Sequence, residues 1–94
     1  MSWSMFSIGF LEMGEPERAA QNIEKNYAHI MNEFEVWNEI TWGGGVIGAA
    51  NFITGCGGFL QMMTAGYGGI RVKSDRMLID PQFPPGVTRL RYTG

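Results

Sequence analysis

The residues best suited to chemistry lie close together. Trp37, Glu39 and Trp42 fall within six positions, just ahead of the glycine run Gly43–Gly45. An indole stacks on the C–H face of a sugar, and a carboxylate beside it binds hydroxyls or does acid–base work. The residues alone also fit a plainer reading. Trp37 and Trp42 would be core residues and Glu39 a solvated loop charge, as most surface carboxylates are. Other chemistry has little material. The single histidine, His29, excludes a His–His metal pair within the chain. The single cysteine, Cys56, excludes an internal disulfide framework and a cysteine-based zinc site. Cys56 reads as a small buried residue, because a catalytic thiol needs a partner and His29 falls on another helix. The run Gly55-Cys56-Gly57-Gly58 lacks the Gly-Lys-Ser/Thr ending of a phosphate loop and the spacing of a dinucleotide site. No cofactor or metal is expected.

Composition narrows the class further. The chain has 94 residues and a formal net charge of -2, with 45% hydrophobic and 17% charged residues. Without a Lys/Arg run there is no basic surface for nucleic acid. The hydrophobic content is too high for a disordered acidic tail. Charged residues are absent from Ile40 to Ile70. That stretch is long enough for a membrane span, but Asn51, Thr54, Gln61, Thr64 and many glycines dilute it, so a buried helix is expected instead. The N-terminus has no basic region and no small-residue cleavage site, so no signal peptide is expected and a cytoplasmic location is.

The elements that must position these residues are mostly helical. Met1–Met13 is apolar nearly all round, which predicts a helix covered on most sides, stopped at Gly14. Pro16–Phe34 is predicted as one amphipathic helix. Pro16 suits its first turn, and Ala20, Ile23, Tyr27, Ile30, Met31 and Phe34 fall on one face. A covered helix followed by a one-sided helix is the inner–outer pair of a helical toroid, or of a bundle. The glycines after Trp42 predict a loop, and the glycines near Asn51–Gly58 predict close packing at a helix start. From Ile70 the pattern changes. Ile70–Val72, Met77–Ile79 and Val87–Tyr92 read as short strands separated by Pro81, Pro84, Pro85 and Gly86. A sheet that stops after its first strands leaves open edges, so the chain is expected to be part of something larger.

Three stretches carry a family resemblance: FEVWNEI at Phe34–Ile40, GAANFITGCGGFLQMMTAGYGGIRV at Gly48–Val72, and DPQFPPGVTRLRY at Asp80–Tyr92. Together they resemble glycoside hydrolase family 65, in its acid-trehalase-like branch, over Met1 to Tyr92. The most specific parts are Val36–Glu39 and Asn51–Gln61. The resemblance implies that residues 1–69 are the closing helices of an (α/α)₆ catalytic barrel and that residues 70–94 open a β-rich C-terminal domain. It implies an inverting hydrolase acting on an α-glucoside, such as the glucosyl-galactosyl unit on collagen hydroxylysine. It places the general base on Glu39, leaving Glu33 and Glu35 as solvated charges. It gives Trp37 a role as a sugar-facing wall or as a loop anchor. It assigns Asn51 and Thr54 weakly to the neighbourhood where phosphorolytic relatives hold phosphate and a hydrolase holds water. The family's general acid matches no residue here, so the isolated chain is expected to be inactive. The other reading is a non-catalytic remnant or a helical module that binds a partner.

Overall fold

The computed structural model describes residues 3–31, 35–40 and 48–94. The architecture is mainly helical with a few short strands. Helix α1 spans Trp3–Glu12 and α2 spans Pro16–Tyr27. Strands β1 (Ile30–Met31) and β2 (Val36–Trp37) pair antiparallel, with Ile30 opposite Trp37 and Met31 opposite Val36. Helix α3, Ile53–Gln61, continues into a π-helical segment at Met62–Tyr67. Strands β3 (Ile70–Val72) and β4 (Met77–Ile79) form a second antiparallel pair.

The stop at Gly14 is a full Schellman motif. The Glu15 N–H donates to the Phe10 carbonyl at 2.8 Å and the Gly14 N–H to the Leu11 carbonyl at 3.1 Å. Gly14 adopts φ +73°, the left-handed value this cap requires. Pro16 then opens α2, where its missing N–H costs nothing.

Packing between α1 and α2 differs from the sequence expectation. The buried stripe of α1 is Ser4, Ser7 and Leu11, and that of α2 is Ala19, Asn22 and Asn26. These small or polar residues let the helix backbones approach, and Ser7 Oγ donates to the Ala19 carbonyl at 3.0 Å. The expected apolar face of α2 is thus rotated: Ala20 and Ile23 are half-buried and Tyr27 is exposed. The helix also ends at Tyr27, short of the expected Phe34. His29 closes the helix end by donating its N–H to the Asn26 carbonyl at 3.2 Å, and Ile30–Met31 take a strand partner instead. A short antiparallel pairing with Val36–Trp37 overrides the helical periodicity here, with no glycine or proline to signal it. Phe34 lies outside the described residues.

The core is Leu11, Ala19, Met62 and Tyr67, with Ile8, Phe10, Ile23, Phe59, Met63 and Leu90 packed around it. The π segment serves this core. The Gly68 N–H reaches back five residues to the Met63 carbonyl at 2.9 Å, so more residues fill each turn. That wider turn puts Met62, Gly66 and Tyr67 together on the inner side. Gly66 lets the side chains of Ile8 and Leu11 lie close against it.

Helix α3 is not the fully buried helix expected. Ile53 is 78% exposed and Leu60 60% exposed. Cys56 is also exposed, which corrects its reading as a buried residue. The helix touches the rest of the chain along one line, where Gly58 abuts Ser4 and Phe59 packs on Tyr27 and Trp37. No described helix is long and apolar enough to cross a membrane.

The hairpin β3–β4 matches the sequence reading and is closed by the Lys73 N–H on the Arg76 carbonyl at 2.8 Å. Val87–Tyr92, expected as a third strand, makes no strand pairing. The proline-punctuated chain runs back across the helices instead. Gln82 donates from its backbone to the Tyr67 carbonyl at 2.8 Å and from its side chain to the Leu11 carbonyl at 3.1 Å. The Tyr92 hydroxyl donates to the Met63 carbonyl, and Arg71 pairs with Glu12.

Candidate active site

Glu39 sits just beyond β2, on a turn held by backbone bonds from both sides. On one side the Asn38 N–H donates to the His29 carbonyl at 2.8 Å, extending the β1–β2 ladder. On the other side the chain returns at Ala49. The Glu39 N–H donates to the Ala49 carbonyl at 3.0 Å, and the Phe52 N–H donates to the Trp37 carbonyl at 2.6 Å. The Glu39 carboxylate joins this lattice, since its Oε2 accepts the Ala49 N–H at 3.0 Å. The residue is exposed, so the carboxylate meets solvent while one oxygen is fixed by the backbone.

Trp37 is half-buried and is held at both ends of its indole. Its Nε1–H donates to the Asn26 carbonyl at 3.2 Å, and its ring lies 5.3 Å from Phe59, centroid to centroid. Asn51 and Thr54 are exposed, at the start of α3. Asn51 adopts φ +54°, a left-handed conformation that asparagine tolerates better than most residues. It turns the returning chain into the helix. The backbone therefore brings all four expected residues, Trp37, Glu39, Asn51 and Thr54, to one end of α3. Among the described residues no side-chain hydrogen bond joins Asn51 or Thr54 to Glu39. Trp42 and the glycines 43–45 lie outside the described residues, as does Glu33. Glu35 is exposed, with φ +51°.

Sequence reasoning missed the residues beneath the turn. His29 is only 6% exposed. Its Nδ1 lies 3.0 Å from the Asn38 carbonyl oxygen, and its Nε2 accepts the Trp3 indole N–H at 3.2 Å. These partners fix the tautomer. An indole N–H only donates and a carbonyl only accepts, so the geometry assigns the ring N–H to Nδ1 and the acceptor to Nε2. Trp3 is itself covered by the Lys25 ammonium, 4.7 Å above its ring. Trp3 and His29 stand 26 residues apart, and no local spacing announces the pair. Among the described residues no group of three His, Cys, Asp or Glu side chains could hold a metal.

An exposed carboxylate fixed by a backbone N–H thus follows an anchored, half-buried indole by two residues. The whole chain is 43% identical to protein-glucosylgalactosylhydroxylysine glucosidase of Gallus gallus, 39% identical to that of Danio rerio and 38% identical to that of Mus musculus. The chain is thus similar along its full length to one segment of these glucosidases, and it spans only 13–14% of their own length. No protein-family model and no solved structure matches it.

Proposed function

We propose that this chain is part of the catalytic region of an inverting α-glucosidase of glycoside hydrolase family 65. Its substrate would be glucosyl-galactosyl-hydroxylysine, the collagen glycan, or a related α-glucoside. The observation that carries the reading is the likeness of every part of the chain to glucosidases whose name states that substrate. On this reading α1 and α2 are an inner–outer pair of an (α/α)₆ barrel, residues 1–69 close that barrel, and residues 70–94 begin a β-rich domain.

Glu39 is the general base. Its carboxylate takes a proton from a water that attacks the anomeric carbon, on the face opposite the leaving oxygen. A carboxylic acid elsewhere in the full-length enzyme protonates that oxygen as the C–O bond breaks. The two carboxyl groups stand about 6.5–9.5 Å apart to admit the water, and glucose leaves with inverted configuration. The Ala49 N–H fixes Oε2, so the carboxylate meets the water in one orientation. Trp37 offers its half-buried indole to the sugar, and Asn51 and Thr54 face the water's neighbourhood. The 94-residue chain alone, lacking the acid, releases no glucose.

The test is Glu39→Gln in the full-length enzyme. Amide nitrogen and oxygen keep the shape of the carboxylate but cannot accept the proton. Glucose release is expected to fall by about 10²–10⁴-fold with KM little changed. An unchanged rate would overturn the assignment.

A further inference from the structure

We propose that His29 is a positioning residue for Glu39, acting through the Asn38 peptide. The inference rests on the reading of Glu39 as the base. Three contacts converge on the two residues that precede Glu39. The His29 backbone carbonyl accepts the Asn38 N–H at 2.8 Å. The His29 ring, through Nδ1–H, donates to the Asn38 carbonyl at 3.0 Å. The Trp37 indole donates to the Asn26 carbonyl at 3.2 Å. One buried residue therefore holds both the peptide that precedes the Asn38 Cα, through its N–H, and the peptide that follows it, through its C=O. The peptide bond that begins at the Asn38 carbonyl ends at the Glu39 nitrogen, so its orientation sets where Cα of Glu39 lies. Trp3 completes the device. By donating to Nε2 at 3.2 Å it holds the imidazole in the tautomer whose proton faces Asn38.

A side chain that merely filled space would not need this polarity. A buried imidazole with both nitrogens engaged, and neither aimed at solvent, is built to fix an orientation. Misplacing a catalytic group by about 1 Å costs on the order of 10²-fold in rate. The positioning role therefore shows in kcat and not in KM.

The experiment uses the full-length enzyme with His29 changed to Phe, Asn or Gln, alongside Glu39→Gln. In His29→Asn the Nδ2 amide stands where Nδ1 stood, keeping the bond to Asn38 and losing the one to Trp3. In His29→Gln the Oε1 oxygen stands where Nε2 stood, keeping the bond to Trp3 and losing the one to Asn38. His29→Phe loses both. We expect kcat to fall about 10–100-fold in the Phe and Gln variants, with KM within about twofold, and to be largely restored in the Asn variant. If His29→Phe fails to fold, the Asn–Gln comparison decides. Equal kcat in the folded Asn and Gln variants would overturn the positioning role. Full activity in Glu39→Gln would instead overturn the base assignment on which the inference rests. Loss in Glu39→Gln with full kcat in His29→Gln overturns the positioning role alone.

Discussion

Glu39 and Ala49 are joined by a reciprocal pair of hydrogen bonds. The Glu39 backbone N–H donates to the Ala49 carbonyl, and the Ala49 N–H donates to the Glu39 carboxylate, each at 3.0 Å. The first bond sets where the backbone of Glu39 lies, and the second sets where its side chain points. A bond from a backbone N–H to an ionised carboxylate is among the stronger kinds. The pair therefore ties Glu39, through both backbone and side chain, to Ala49.

Gly48 is the neighbour on which this arrangement depends. A Cβ placed there would lie 2.7 Å from Ile40 Cγ1, 3.2 Å from the Ile40 nitrogen and 3.2 Å from Glu39 Cβ. Gly48→Ala must push Ile40 and Glu39 away from Ala49. In the full-length enzyme we expect about a tenfold or greater loss of kcat, as for a displaced catalytic group, with folding retained. Steady-state kinetics with thermal unfolding as the control check this. Wild-type kcat would mean that the turn absorbs the methyl without moving the carboxylate.

Trp37, Glu39, Asn51 and Thr54 lie in the two short segments that carry the family resemblance, and their roles rest on that resemblance. The structure adds only that the backbone brings the two segments together near the start of α3. Elements that rest on local chemistry were legible: the Gly14 stop, Pro16 at the start of α2, and the strands Ile70–Val72 and Met77–Ile79. What escaped depends on strand pairing and helix packing that side-chain periodicity does not carry. The end of α2 at Tyr27 is set by pairing with Val36–Trp37, and the turning of Asn22 and Asn26 inward is set by the small residues of α1. The frame of Trp3 and His29 escaped for the same reason. Val87–Tyr92 has the composition of a strand, yet it finds the Met63 carbonyl and the core beside Leu90 instead of a strand partner.

Two glycines of similar surroundings in sequence should respond oppositely to alanine. Gly57 lies in α3 with no atom within 4 Å of a built Cβ. Gly57→Ala is expected to stabilise by about 0.5–1 kcal/mol, because alanine loses less backbone freedom in a helix. Gly69 has φ +61°, and its Cβ would run into the backbone of Asp80. Gly69→Ala is expected to destabilise by about 2–3 kcal/mol or more, combining the left-handed penalty with separation of β3 from β4 at the end where Gly69 faces Asp80. Thermal or urea unfolding of the two variants checks the sign of each. Loss of stability in Gly57→Ala would mean that the exposed side of α3 is covered in the full-length protein.

Tyr67 gives a prediction about pH. Its side chain is fully buried, and its hydroxyl has no hydrogen-bond partner among the described residues. Burial, with a smaller contribution from nearby Tyr27, raises its pKa above the ordinary tyrosine value. A buried phenol resists ionisation because the phenolate would lose its water. The folded state therefore holds this proton more tightly than the unfolded chain does. Below about pH 10, where unfolded tyrosine is still protonated, the full contribution to stability is present. As pH rises past that value toward the folded pKa, the unfolded state ionises first and the contribution is lost. Tyr67→Phe removes both the titration and the unpartnered hydroxyl. Replacing an unsatisfied buried polar group by an apolar one of the same shape is neutral or stabilising, by about 0–2 kcal/mol near pH 7. Melting temperatures measured from pH 7 to above pH 10 should fall less steeply for Tyr67→Phe than for the wild type. Parallel pH profiles would mean that Tyr67 does not report on alkaline unfolding, and a marked loss at pH 7 would mean that its hydroxyl has a partner in the full-length protein.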